Sequence, residues 1–220
     1  MGTITRTFAN NITTSGVFKP TAFNNASFDN VTAVPSGAVE GGSMVLLSTQ
    51  TATAGTATID FTTGIDSTYK EYLFILNNLH PDTNNTDMSF NLSSDGGSNY
   101  NVVKTSSAFY SRQNEDTSGA EVVYFGVGLA QSTSNQQITG GVGAENDESA
   151  SGYFHLFNPS DITYVKHFIC VTQCYTHSNY SWNSYVAGYA NTTSAINAVR
   201  FSPSASTNFD AGTIQLFGIL

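Results

Sequence analysis

The residues with the clearest chemical potential lie in one short segment, residues 175–185, which reads YTHSNYSWNSY and holds the single Trp of the chain. Ser, Asn and His are interleaved there with Tyr175, Tyr180, Trp182 and Tyr185. Aromatic rings stack on sugar faces while amides and hydroxyls bond sugar hydroxyl groups, and Tyr and Trp are also enriched at subunit interfaces. The segment is therefore a candidate contact with a glycan or another subunit, and ordinary core packing remains a third interpretation.

Two acidic clusters, Glu115-Asp116 and residues 145–148 (ENDE), raise the question of glycoside hydrolysis. Retaining hydrolysis needs two carboxyl groups about 5 Å apart in a groove. Both clusters lie in sequence rich in Gly, Ser and Asn, which is typical of exposed loops where acids are solvated. A Ca²⁺ role stays open, although no DxDxDG loop is present. We predict no catalytic residue, no metal ligand and no cofactor.

The histidines and cysteines do not form a recognisable catalytic motif. The nucleophile-elbow pattern GxSxG is absent, and the four histidines are far apart in sequence: His80, His155, His167 and His177. His155 and His167 lie in strand-like runs, which favours hydrogen-bonded or interface roles. Cys170 and Cys174 would lie roughly 13 Å apart on one face of a strand, too far for a mutual disulfide. They are predicted to be small buried hydrophobes.

The candidate residues must be positioned by β-strands. Segments typical of strands recur between turn-rich segments from Ser43 onward. The dozen candidates are SMVLLST, TATIDF, EYLFILNNL, MSFNLSS, KTSSAFY, EVVYFGVGL, QQITGGV, SGYFHLF, VKHFICVTQCY, SYVAGYA, AINAVRFS and GTIQLFGIL. Two runs, residues 72–76 and 168–171, are apolar throughout, which indicates strands buried on both faces. SSDGGSNY predicts a hairpin. The fold class is all-β, an antiparallel two-sheet β-sandwich of jelly-roll type.

The first 42 residues differ from the rest, because four phenylalanines are spaced through polar, turn-rich sequence without a helical period. Such a segment has too little apolar surface to fold alone. We predict an extended N-terminal anchoring arm over residues 1–42 and a β-sandwich domain over residues 43–220. The expected anchors, docking into a neighbouring chain, are Phe8, Phe18, Phe23 and Phe28.

Composition and charge limit the function classes. Ser, Thr and Asn make up 75 of 220 residues, while 7 basic residues against 16 acidic ones give a net charge of −9. The basic residues are scattered singly, which disfavours nucleic acid and anionic membranes. No apolar run approaches the ~20 residues of a membrane span. The opening MGTITRTFAN lacks the apolar core of a signal peptide, so we expect the chain to be made in a cytoplasm.

Three segments resemble a group of bacteriophage virion proteins. Residues 57–81 hold an Ile-Asp-Phe strand followed by Tyr-Lys-Glu-Tyr, residues 89–101 hold Ser-Ser-Asp-Gly-Gly-Ser-Asn-Tyr, and residues 212–220 close the chain as GTIQLFGIL. Members of this group are described as tail-fibre-like or head-associated structural proteins, often from marine or cyanobacterial phages. The resemblance covers roughly half the chain and implies a β-sandwich that assembles and is displayed, with no catalytic residues to transfer.

The resemblance implies a non-enzymatic virion structural protein, synthesised in the host bacterial cytoplasm and anchored in the particle by its arm. A tail or head fibre with a receptor-binding role is the first interpretation, and capsid decoration is the second. A polysaccharide-degrading fibre enzyme and a lectin-like binding module are less favoured. The expected partners are further copies of the chain, as a trimer in a fibre, other virion proteins through the arm, and a host surface glycan.

The arm hypothesis predicts the effect of removing its aromatic side chains. Replacing Phe8, Phe18, Phe23 and Phe28 together by Ser removes about 1.5–3 kcal/mol of apolar transfer for each ring that is buried on docking. We expect a folded sandwich that no longer enters particles, measured as copy number per virion by quantitative mass spectrometry. Particles that keep the variant at normal copy number would contradict the anchoring role.

Overall fold

The computed structural model describes residues 43–220, and the predicted arm with Phe8, Phe18, Phe23 and Phe28 lies outside the described residues. Residues 43–220 form twelve β-strands and no helix, so they include no helix able to cross a bilayer. The strands are β1 (Met44–Thr51), β2 (Ile59–Phe61), β3 (Glu71–Pro81), β4 (Met88–Ser93), β5 (Lys104–Asn114), β6 (Ala120–Tyr124), β7 (Gln136–Gln137), β8 (Ala150–Phe157), β9 (Lys166–Thr176), β10 (Tyr180–Ala190), β11 (Ala198–Pro203) and β12 (Phe209–Ile219).

The strands form two antiparallel sheets. One sheet has eight strands in the order β1-β12-β3-β8-β9-β10-β5-β6, and the other has four in the order β2-β11-β4-β7. Every strand pairing among residues 43–220 is antiparallel. Over residues 43–220 the prediction of an all-β fold with two antiparallel sheets is confirmed, and each predicted strand segment overlaps one of the twelve strands.

Phenylalanine side chains fill the space between the sheets. Phe90 of the smaller sheet lies with its ring centre 4.4 Å from that of Phe154 and 5.1 Å from that of Phe168 in the larger sheet. Phe61 lies 5.1 Å edge-on to Phe74. Tilted and edge-to-face rings at these separations are the favoured aromatic geometries. The core therefore joins β2 and β4 to β3, β8 and β9.

The predicted hairpin at SSDGGSNY is wrong, although the predicted turn is present. Gly96 and Gly97 adopt φ values of 71° and 87°, which glycine reaches without steric cost. However, β4 pairs with β11 and β7, whereas β5 pairs with β10 and β6. The turn therefore begins a connection that carries the chain from one sheet to the other.

The apolar runs in β3 and β9 are buried on one face only in the described chain. In β3 the side chains of Tyr72, Phe74 and Leu76 are buried, while Leu73 and Ile75 between them are half-buried. In β9, Phe168 and Cys170 are buried and Ile169 is exposed. The sequence prediction that these strands are covered on both faces therefore differs from the structure of the single chain.

Two lysines are buried, and neither burial was predicted from the sequence. Lys104 is fully buried, and its Nζ donates to Asn91 Oδ1 at 2.6 Å and to the carbonyl oxygen of Val102 at 2.9 Å. Lys166 is also buried and donates to the carbonyl oxygens of Tyr164 and Thr192. Burial lowers the pKa of Lys104 to about 8, because the charged ammonium loses hydration. Its contacts are neutral oxygens, so the charge costs stability.

Lys104→Met is therefore expected to stabilise the domain at pH 7. Because the folded pKa lies near 8, below the ordinary value of 10.5, the unfolded chain binds more protons between these values. Wild-type stability should rise with pH across this window, and the advantage of the variant should shrink. Chemical denaturation at both ends of the window measures this, with exposed Lys70→Met as the control. An advantage of Lys104→Met that stays constant with pH would contradict the cause given.

Candidate functional site

The most distinctive surface is the side of the eight-stranded sheet that faces away from the four-stranded sheet, which we call the outer face. Neighbouring strands place one row of large side chains across it, the aromatic row, in strand order β3, β8, β9, β10, β5 and β6. Its members are Ile75, Tyr153, Val171, Tyr185, Phe109 and Tyr124. The rings of Phe109 and Tyr185 stack 4.7 Å apart. Phe109 and Tyr124 remain 47% and 67% exposed.

A second row runs parallel to the aromatic row and is largely aliphatic. In the order β1, β12, β3, β8 and β9 this aliphatic row consists of Leu46, Phe217, Leu73, His155 and Ile169. Leu46 and Ile169 are 51% and 43% exposed. Side chains on one face of adjacent strands lie about 5 Å apart, so the two rows make one continuous apolar surface. Contiguous exposed apolar surface of this kind marks interaction sites.

On its other side the aromatic row borders a polar groove, the amide row. Gln173, Asn183 and Ser111 lie side by side on β9, β10 and β5. They line an open groove of about 540 Å³ together with Ser181, Gln113 and the ion pair of Arg112 and Glu121. The amide nitrogen of Gln173 donates to the Cys174 carbonyl at 3.0 Å, and that of Asn183 to the Tyr185 hydroxyl at 3.3 Å. Their amide oxygens are left to accept bonds from a ligand or solvent.

The structure divides the four aromatic residues predicted as a contact between the two faces of the sheet. Tyr175 and Tyr185 lie on the outer face, where Tyr175 lies beside Ser181 on the neighbouring strand and donates its hydroxyl to Glu115 at 3.0 Å. Tyr180 and Trp182 lie on the opposite face, and Arg112 covers the Tyr180 ring at 4.7 Å. Successive strand residues point to opposite sides. The four do not form one surface, and a glycan or subunit contact remains a prediction for each.

Trp182 packs against the core. Its ring stacks on Tyr110 with centres 3.7 Å apart and meets Phe125 edge-on at 5.5 Å. Its Nε1 donates at 2.8 Å to Ser184 Oγ, and Ser184 is fully buried. A Cβ added at Gly140 would come within 2.8 Å of the indole ring, so this glycine allows the loop to lie against Trp182. These contacts agree with the core interpretation, the third of those left open by the sequence.

The acidic clusters have different environments. Asp116 is exposed in the β5–β6 turn, where hydrogen bonds from Ser118 hold the pKa of its carboxyl below the ordinary value. Glu148 departs from the predicted solvated loop, because it is 4% exposed and its Oε2 accepts the backbone N–H of Glu145 at 2.8 Å. No group of three or more His, Cys, Asp or Glu side chains within residues 43–220 is arranged to hold a metal ion.

The histidines have different surroundings, although His155 and His167 lie diagonally across the neighbouring strands β8 and β9. His80 Nδ1 lies 2.6 Å from Asp210 Oδ1, and its Nε2 lies 2.9 Å from the carbonyl oxygen of Glu145. Burial lowers the pKa of His80, but the bonds to Glu145 and Asp210 outweigh it, so the pKa is raised. His155, as expected, lies within a strand, with Nε2 2.9 Å from Glu71 Oε2 but without hydrogen-bond alignment.

The cysteines behave as the small buried hydrophobes predicted from the sequence. Cys170 and Cys174 are free thiols on the inner face of β9, each 1% exposed. Burial raises the pKa of Cys170 strongly and that of Cys174 to about 12. A thiol reacts as the thiolate, so both side chains are suited to filling the core.

Comparisons of the chain with protein-family models, with characterised proteins and with solved structures find no match.

An exposed apolar surface on the outer face was not predicted from the sequence. The sequence feature that indicates this surface lies in β3, where residues 72–76 form an uninterrupted apolar run. A strand with one solvated face normally alternates apolar and polar residues. An uninterrupted run in an antiparallel sheet therefore indicates a second surface to be covered, by the same chain or by another molecule.

Trp182→Ala tests the core position of the indole. We expect the free energy of unfolding to fall by about 3 kcal/mol, since the change leaves a cavity and removes the donor to buried Ser184. Tyr185→Ala on the opposite face of the same strand is the control, with a loss of about 1 kcal/mol. Denaturant titration of the dissociated subunit measures both. Equal small losses for the two variants would reject the core position.

Proposed function

We propose that the chain is a non-enzymatic structural protein of a bacteriophage virion that displays a β-sandwich as a contact module. The arm, residues 1–42, anchors it in the particle, and the displayed domain forms part of a tail or head fibre or a receptor-binding component. The open outer face of the eight-stranded sheet carries this proposal. It offers a broad contact surface, which a structural and attachment role requires.

The strand connections support a jelly roll, the finer fold prediction. In the described chain β1 pairs with β12, β2 with β11, β3 with β8 and β4 with β7. First strands thus pair with last in a nested series, as when one long antiparallel ribbon is wound into two sheets. The hairpins β5–β6 and β9–β10 extend one sheet beyond these eight strands. Jelly rolls are common in viral capsid and lectin domains.

The segments that resemble virion proteins also form a connected part of the fold. Residues 57–81 contain β2 and β3, residues 89–101 contain most of β4, and residues 212–220 make up most of β12. β3 pairs with β12, while β2 and β4 both pair with β11. The resemblance therefore concerns neighbouring strands of both sheets, which supports a shared architecture more than scattered short similarities would.

A receptor-binding role finds support at the groove of the amide row. Gln173 and Asn183 present amide oxygens and Ser111 and Ser181 present hydroxyls, while Tyr175 lies beside Ser181 on the neighbouring strand. Sugar hydroxyl groups pair with such groups, and sugar faces stack on aromatic rings. Capsid decoration remains the second interpretation, because a broad contact face also suits a cement protein. A polysaccharide-degrading fibre enzyme remains the less favoured one.

The position of the protein in the particle tests this function. We expect antibody-gold labelling of purified phage particles to mark the tail tip or the head fibres in electron micrographs. Labelling spread evenly over the capsid would instead identify a decoration protein. Absence from particles whose genome encodes the chain, shown by mass spectrometry of the purified virion, would contradict a structural role altogether.

A further inference from the structure

The aromatic and aliphatic rows of the outer face are built from residues that sheets normally keep away from water. In β3 the outer positions Leu73 and Ile75 are as apolar as the inner positions. The same holds in β9, where Ile169 and Val171 alternate with buried residues. An antiparallel sheet with one solvated face carries polar residues at these positions. These residue types are therefore typical of a sheet face that is covered when the protein is assembled.

The size of the surface fits a stable protein interface. With strands about 4.8 Å apart and same-face residues about 6.7 Å apart along a strand, an area eight strands wide and three rows deep is about 750 Å², and it includes polar positions such as Gln215 and Ser107 where the rows continue past their apolar members. The third row lies beyond the aliphatic row and contains Met44, Ile219 and Phe157. Two such faces in contact would bury about 1,500 Å² in total, within the range of specific stable interfaces.

The distribution of charge also favours this surface over others. The full chain carries a net charge of −9, so contacts between copies through acidic surfaces are opposed. At the outward-pointing positions of the three rows, Glu71 is the only carboxylate, and it lies 2.9 Å from His155. Covering the face therefore removes few charges from water, and charged residues are depleted at the centres of protein interfaces.

We propose that the outer face packs against another copy of this chain. A second copy offers the same three rows, which are mainly apolar and carry one carboxylate, so the two faces are complementary without any further partner. The centre of the three rows lies in the aliphatic row, near Leu73 and Ile169, and the stacked rings of Phe109 and Tyr185 enlarge the surface towards β6. This inference rests on the proposed structural role and adds the surface through which the copies associate.

Charge introduced on the outer face tests the proposal in the full-length protein. Ile169→Glu places a carboxylate in the aliphatic row. Ser107→Arg adds a large charged side chain where this row continues through Ala187 onto β5, at an exposed position. Ile162→Glu is the matched control, because Ile162 is 77% exposed in the loop between β8 and β9. Sedimentation velocity at micromolar concentration gives the mass, and far-UV circular dichroism checks folding.

We expect the wild type and Ile162→Glu to have the mass of two or more chains, and both outer-face variants to have the mass of one folded chain. A monomeric wild type would overturn the proposal and leave the face to residues 1–42, another virion protein or a glycan. Oligomers that persist in folded Ser107→Arg would also overturn it, since association would then use another surface. Neither result alters the labelling of particles, so the virion role is tested independently.

Discussion

The contacts between phenylalanines of the two sheets determine which side of each strand faces the core. Phe74, Phe154 and Phe168 point inward from the larger sheet, and burying each ring stabilises the fold by about 1.5–3 kcal/mol. A shift of one residue in strand register would turn these rings to the opposite face. The core therefore decides which residues face outward. The aromatic and aliphatic rows are the direct consequence of burying these rings.

The two hairpins that widen the larger sheet add inner surface that must also be covered. β9, β10, β5 and β6 extend that sheet beyond β8, while the other sheet has four strands in total. On the inner side the loop after β6 covers the extension, because Phe125 donates its backbone N–H to Ala108 and Ser106 donates to Leu129. Trp182 and Tyr110 pack beneath this loop. The extension is thus covered on the inner face by its own chain.

The strands were predictable from sequence because β-branched and aromatic residues recur between turn residues, but side-chain environments were less so. The run from Tyr180 to Tyr185 resembled a turn in composition, yet the turn lies just before it, where Asn179 has a φ of 59°. Trp182 is then placed inward by strand alternation and covered by a loop distant in sequence. Lys104 is likewise buried against Asn91 of another strand, a contact that the residues around Lys104 do not predict.

Many of the asparagines and aspartates of the domain lie in turns and loops. Asn78, Asn85, Asn158 and Asn179 occupy positive-φ positions, which asparagine tolerates better than most residues, and this use explains part of the high Asn content. Carboxylates stabilise turns, as at Asp95, where bonds from Asn99 and Ser93 lower the pKa to about 2. Because acids such as Asp95 and Asp116 lie in the loops, where like charges repel, association through loop ends is opposed. The outer sheet face, where Glu71 is the one carboxylate of the three rows, is then the surface of least electrostatic cost.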